Sequence, residues 1–165
     1  MTRSDEIDVE HEISLCRLRI GEDFFGIETS AVCEALYQCE LRVVPRAPKF
    51  IAGVLAYRGD VLVAVSLRVL LGMEPGVEPP GAVVLRDGVS GEKFALLVDD
   101  LLDVVQVAGS AWEPNPATLD ERDSLLFSGA YRSAGFPIIK LEPECVQPSR
   151  LMQNFESEMS TGERR

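Results

Sequence analysis

The sequence predicts a mainly β fold laid out as two small closed β-barrels with short helices, and three observations carry that prediction. Short runs rich in valine, leucine and isoleucine recur along the chain. Glycine-centred turns separate these runs in pairs, the pattern of successive hairpins. The third observation is a faint internal repeat: FIAG at 50–53 resembles LFSG at 126–129, and Gly53 stands 76 residues before Gly129, as Gly59 does before Gly135. Phe25 and Phe94, Glu34 and Asp103, and Pro45 and Pro114 share an offset of 69, so one loop about seven residues longer must intervene. Two copies of one unit account for these matches, and closing each into a barrel removes its exposed strand edges.

The first strand is ISLCRLRI from Ile13, Gly21-Glu22-Asp23 is a turn, and DFFGI returns as the second strand. In ETSAVCEALYQC, Thr29 or Ser30 suits a helix cap, and Val32, Ala35 and Leu36 fall at i, i+3 and i+4, which predicts a helix of about ten residues. LRVVP reads as a short strand ended by Pro45, since proline has no N–H to give a ladder. Val54 to Tyr57 and Val61 to Val65 are β-prone runs either side of Arg58-Gly59-Asp60, with Gly59 supplying the positive φ of a tight hairpin. Ser66 then caps a short helix, LRVLL, which Gly72 ends.

AVVLRDGVSGEKFALLV reads as a further hairpin, and DDLLDVVQV continues in extended form. A loop marked by Trp112, Pro114 and Pro116 follows. LFSGAYRSAGFPIIKLEPEC supplies two strands around Gly135 and a short helical piece near Cys145 to Met152. The folded domain is therefore expected over 12–152, with its first barrel mainly from 20–75, its second mainly from 80–140, and terminal segments crossing over. Residues 1–11 and 153–165 are charged, poor in apolar side chains and expected to be loose tails.

Composition narrows the function. Of the 165 residues 46% are hydrophobic, enough for a real core, and 27 acidic against 16 basic side chains give a formal charge of −11. Such a chain repels phosphate backbones and anionic lipid surfaces, which argues against nucleic acid as a partner. The polar start MTRSDEIDVEHE lacks the apolar run of a secretory signal, and no segment approaches the ~18 apolar residues of a membrane span. A cytoplasmic protein without membrane insertion is expected. Cys16, Cys33, Cys39 and Cys145 show no C-x-x-C spacing and read as free thiols filling space.

Catalytic signatures are missing from the pattern. The single histidine, His11, lies at the start of the chain, a poor place for the base of a nucleophilic triad. No cluster has metal-ligand spacing, and Asp99, Asp100 and Asp103 read as a solvated strand end rather than a calcium loop. No glycine-rich phosphate cradle is present, so no cofactor is expected. An enzyme reading survives only as a thiol chemistry at Cys33 or Cys39. Arg58 is the conspicuous charge: it either faces water at a strand end or acts as a planar, multi-donor anchor paired with Glu34.

Four ordered segments resemble the CheW-like coupling proteins of bacterial chemotaxis. FFGIETSAVCEAL is similar to that family's Phe/Tyr-Gly-Ile strand and following Val-x-Glu, and VVPRAPKFIAGVLAYRGDVLVAVSLRVLLG to its central signature. LLVDDLLDVVQV looks like its Val-Asp-x-Val-x-x-Val segment, and SGAYRSAGFPIIKL like its closing hairpin. The chain departs from the pattern at Tyr57, which stands in Ala-Tyr-Arg-Gly where Asn-Leu-Arg-Gly is usual, and at Ser66, where aspartate is usual. The resemblance implies two side-by-side five-stranded SH3-like barrels and a non-enzymatic chemosensory adaptor. Its partners would be the cytoplasmic tip of a methyl-accepting chemoreceptor and the regulatory domain of the histidine kinase CheA, at receptor arrays on the inner membrane. Carried over by position, Val32, Glu34, Leu36 and Arg58 match receptor-facing positions, and Val43, Val44, Tyr57, Gly59 and Asp60 kinase-facing ones. A divergent adaptor for surface motility or gene control is the alternative within the family.

Overall fold

The computed structural model describes residues 11–76, 81–116 and 121–163. Among the described residues eleven strands form two sheets. β1 (Glu12–Ile20) and β2 (Asp23–Glu28) make the first hairpin, and β3 (Val32–Leu36) follows a single 3-10 turn, Thr29–Ala31. β4 (Ile51–Tyr57) and β5 (Asp60–Ser66) make the next hairpin and lead into helix α1 (Leu67–Leu70). β6 (Gly81–Arg86), β7 (Lys93–Val98), β8 (Asp100–Ala108) and the short β9 (Trp112–Pro114) come next. Helix α2 (Glu121–Ser124), strands β10 (Phe127–Tyr131) and β11 (Ile138–Leu141), and helices α3 (Pro143–Val146) and α4 (Pro148–Glu163) complete the chain.

The sheets run in the orders β3-β6-β7-β5-β4 and β8-β1-β2-β11-β10-β9. Written this way they are two copies of one arrangement, each with a single parallel pair at the same place, β5 with β7 and β11 with β2. Gly53 pairs with Ala64 and Gly129 with Lys140, so the offset of 76 holds on both strands of the hairpin. Phe25 and Phe94 likewise occupy matching places on β2 and β7. The proline match does not hold, because Arg42, not Pro45, bridges Val54 as Glu113 pairs with Ala130.

Five expectations are corrected. Among the described residues the end strands of neither sheet pair with each other, so the sheets are open, one of five strands and one of six, rather than closed barrels. Around β4 the segment that would close the seam contains Pro45 and Pro48, which cannot donate, and contributes one bridge, Arg42 to Val54. The halves also exchange strands: β2 joins the second sheet, while β6 and β7 join the first, across the expected 20–75 and 80–140 boundaries. The helix expected after Thr29 is instead strand β3. β6 is apolar throughout and needs a ladder on each side, so pairing with β3 satisfies backbone groups that burial would otherwise leave orphaned. LRVVP forms no strand beyond the Arg42 bridge, whereas Trp112–Pro114, read as loop, forms β9.

The tails also differ. Residues 1–10 lie outside the described residues, but α4 continues through 153–163, where a loose tail is expected. Gln147 Oε1 accepts from the Arg150 N–H at 3.0 Å, Pro148 fits the first turn, and Phe155 packs edge-on against Phe50 at 6.1 Å.

Alternation along β6 and β7 explains the packing. Val83, Leu85, Phe94, Leu96 and Val98 join one large cluster with Leu18, Phe25, Ile27 and Leu141 of the second sheet, which glues the sheets together. Ala82, Val84, Ala95 and Leu97 point the other way, into a cluster with Leu55, Tyr57 and Leu62 that the first sheet curls around. Both faces of these two strands are thus buried, which is why their sequences read as unbroken apolar runs. Leu15, Val107, Tyr131 and Ile138 fill the equivalent hollow of the second sheet.

Charges fasten the junctions. Asp99, Asp100 and Asp103, expected to be a solvated end, are each matched: to Arg68 at 2.6 Å, to Arg19, and to Arg17 at 2.8 Å. Asp99 also accepts from the Gly21 N–H at 2.8 Å, so one half-buried carboxylate joins α1 to the β1–β2 turn.

Candidate functional site

The β4–β5 connection is a two-residue turn, since Tyr57 pairs directly with Asp60. Its central residues, Arg58 and Gly59, have φ of 49° and 84°. Two successive positive φ values are what a type I′ turn requires and what matches the twist of the flanking strands. Gly59 takes this conformation without cost, but an arginine there is uncommon, because only Gly, Asn and Asp visit it readily. A strained residue whose side chain is 71% exposed points to a use outside the fold.

That side chain reaches Glu34. Arg58 Nη2 donates to Glu34 Oε1 at 2.6 Å and lies 5.5 Å from the Tyr57 ring centroid. Glu34 belongs to β3 and Arg58 to the turn that follows β4, and β3 and β4 are the two outermost strands of the first sheet. The ion pair therefore spans the open seam of the curled sheet. The hydrogen bond that Arg58 donates to Glu34, then the Glu34 charge, raise the Arg58 pKa further, so the guanidinium is charged at any physiological pH.

A β-bulge between Val32 and Glu34 sorts the other residues that the resemblance assigns to a receptor surface. Val32 pairs with Leu85 and faces the large cluster between the sheets, whereas Glu34 and Leu36 pair with Val84 and Ala82 and face the inner hollow. Glu34 and Arg58 are thus brought together, Leu36 lies half-buried on the same face as Glu34, and Val32 lies on the opposite one.

The residues that the resemblance assigns to a kinase surface divide by exposure. Val43 is 81% exposed and Val44 is exposed as well, both in the loop beside the Arg42–Val54 bridge. Gly59 and Asp60 are exposed at the hairpin tip. Tyr57 is only 8% exposed and belongs to the inner cluster, so its place is in packing and it offers no free face to a partner. Residues the pattern did not single out are exposed on the same hairpin. Ala56 pairs with Val61 and Val54 with Val63, on the face opposite buried Leu55 and Leu62, and Val61 is 72% exposed. With Val43 and Val44 they make an exposed apolar strip on an outer strand pair, a surface type that marks interaction sites. The run VLVAV is apolar at every position, so the sequence carried no signal of which of its faces is exposed. Phe136, exposed on the matching hairpin of the second sheet and 5.5 Å from Phe24, was also missed.

Reactive chemistry has little support here. Burial pushes the Cys39 thiol up, the direction opposite to that of an activated nucleophile, and does the same at Cys145 and, with the Asp103 charge, at Cys16. Cys33 is exposed on β3. With a maleimide probe on the folded chain, Cys33 should label first and Cys39 well behind it; Cys39 labelling faster than an unfolded control would reveal an activated thiolate. Among the described residues no group of His, Cys, Asp and Glu could hold a metal ion, and no helix is long and apolar enough to cross a membrane.

Comparison with known proteins gives concordant results. A family model described as "CheW-like domain" matches residues 14–146. The chain is 27% identical over 135 residues to "Chemotaxis protein CheW" of Rhizobium meliloti, covering 82% of this chain and 87% of that protein. It is 21% identical over 151 residues to the protein of the same description from Treponema pallidum, with 88% of each covered. Among solved structures, the crystal structure of scaffolding protein TtCheW from Thermoanaerobacter tengcongensis is similar at a TM-score of 0.72 and 19% identity, over 80% of this chain and 90% of that one.

Proposed function

From the premise that this chain belongs to the CheW-like family of chemotaxis scaffold proteins, which are adaptors and not enzymes, we propose that it couples chemoreceptors to a histidine kinase. It would act in the cytoplasm at receptor arrays on the inner membrane, joining the cytoplasmic tips of methyl-accepting chemoreceptors to the regulatory domain of CheA. The observation that supports this most is the presence of two unlike surfaces around the β4–β5 hairpin: a strained Arg58–Glu34 pair that ties its turn to β3, and the exposed apolar residues Val61 and Ala56 on it with Val43 and Val44 in the loop before it.

Two modest interfaces on one rigid body raise the effective concentration of receptor and kinase for each other, and no bond need be made or broken. Activation of the kinase would then follow from binding its active and inactive states unequally. The two departures from the family pattern have internal roles. Tyr57 fills the inner core, and Ser66 Oγ accepts from the Val69 N–H at 3.3 Å to cap α1, so neither argues for a different pathway.

The test is binding of the purified chain to a CheA regulatory domain at concentrations on the order of tens of micromolar, where interfaces of moderate quality are populated. Val61→Glu, on an exposed strip position, should weaken it about fivefold with the melting temperature unchanged. Absence of binding by the unaltered chain, or equal affinity of the variant, overturns this reading.

A further inference from the structure

At the α1 end of β5 lies a cleft that none of Val32, Glu34, Leu36, Arg58, Val43 or Val44 lines. β5 has seven residues, so at about 3.3 Å per residue the cleft stands roughly 20 Å from the Arg58 turn. There the chain leaving α1 meets β2, β9, β10 and β11 around a space of 520 Å³, within the range of ordinary ligand pockets.

Its floor and its rim differ in kind. Phe25 and Phe127, 5.7 Å apart, make the floor with Ile139, while Leu71 and Met73 make an apolar wall. Met73 is unbranched and partly exposed, a side chain that re-packs readily around a guest. The rim carries Asp23 from β2, Glu113 from β9 and Asp123 from α2, and among the described residues no lysine or arginine lines the cleft.

Elsewhere the carboxylates beside the sheet junctions are matched, as Asp99, Asp100, Asp103 and Glu28 are. Among the described residues Asp23 and Asp123 have no ion pair, and Glu113 reaches Arg132 only at 3.5 Å with both side chains more than half exposed. Two acids without an ion pair, Asp23 and Asp123, and a third, Glu113, held only by an exposed arginine therefore surround an apolar floor. A bound cation relieves their mutual repulsion, and an apolar group displaces water from the floor.

We propose that this cleft docks a basic amphipathic segment of a partner protein, with one apolar side chain on the Phe25–Phe127 floor and flanking lysines or arginines at Asp23, Glu113 and Asp123. The acids come from three separate elements around an apolar floor, a combination that suits a segment carrying several cations and an apolar side chain better than a lone small cation. The site is independent of the adaptor surfaces above, so its failure and theirs are separately readable.

The full chain is titrated, by fluorescence anisotropy, with two labelled helical peptides of about 15 residues, a length at which isolated helices become viable. One is built of leucine and lysine; in the other, glutamate replaces lysine. The lysine peptide should bind in the micromolar range and the glutamate peptide should not. Asp23→Asn with Asp123→Asn should lower the affinity about tenfold. Glu156→Gln with Glu158→Gln on α4 makes the same charge change away from the cleft and should leave it unaltered. Equal losses from the two double variants would show attraction to net negative charge alone, and no binding of the lysine peptide would remove the site; either result overturns the proposal.

Discussion

Gly129→Ala should destabilise the folded chain by about 3 kcal/mol, the upper part of the range for forcing extra atoms into a packed site. A Cβ on Gly129 would lie 2.3 Å from the Glu113 carbonyl oxygen and 2.7 Å from the Trp112 ring. The backbone oxygen cannot swing aside, because β9 is fixed to β10 by the Gly129–Pro114 and Ala130–Glu113 pairs. The φ of 158° disfavours a side chain as well. Either β9 detaches or the bulge between Phe127 and Gly129 is lost.

Gly53→Ala should cost a similar amount for the same reason, with its Cβ 2.4 Å from the Arg42 oxygen, the group that accepts from the Val54 N–H. Gly59→Ala is the internal contrast. Nothing lies within 4 Å of its Cβ, so only the positive φ is penalised, at about 1 kcal/mol. Urea unfolding of the three variants checks the order. A loss at Gly129 no larger than at Gly59 would show that β9 parts freely from β10.

These glycines also show why the repeat was legible in the sequence. A bulge glycine on which another backbone rests tolerates no other residue, so Gly53 and Gly129 mark equivalent places while the aliphatic side chains around them differ. The hairpins and the α1 cap were legible for a related reason: turn chemistry is local. What was misread depends on distant partners. Val32, Ala35 and Leu36 have helical spacing, but β6 lies 45 residues or more further along the chain and requires a strand there. Tyr57 looked like a surface departure because nothing in its neighbours reveals that it packs with Leu62, Ala82 and Leu97. The exchange of β2 for β6 and β7 between halves leaves no trace in either half alone. For α4 the signal was present, since Leu151, Phe155 and Met159 repeat every four residues, but the surrounding charges masked it.

Arg58→Gly should separate what Arg58 does for the fold from what it does for a partner. Alanine is a poor probe here, because it leaves a Cβ at positive φ and removes the ion pair together. Glycine relaxes the turn while deleting the guanidinium, and an exposed pair contributes little that water does not replace. The melting temperature should therefore stay or rise. Affinity for a receptor tip should fall about tenfold or more, as expected when a planar multi-donor anchor leaves the centre of an interface. Affinity for the kinase regulatory domain should move far less, and Val61→Glu should give the reverse pattern, since Val61 lies on the apolar strip and takes no part in the ion pair. Adding Glu34→Gln to Arg58→Gly should produce little further loss if the two side chains act as one unit. A fall in melting temperature that tracks the fall in affinity would instead make the pair a staple for the open seam between β3 and β4, and the docking surface would have to be sought on another part of the sheet.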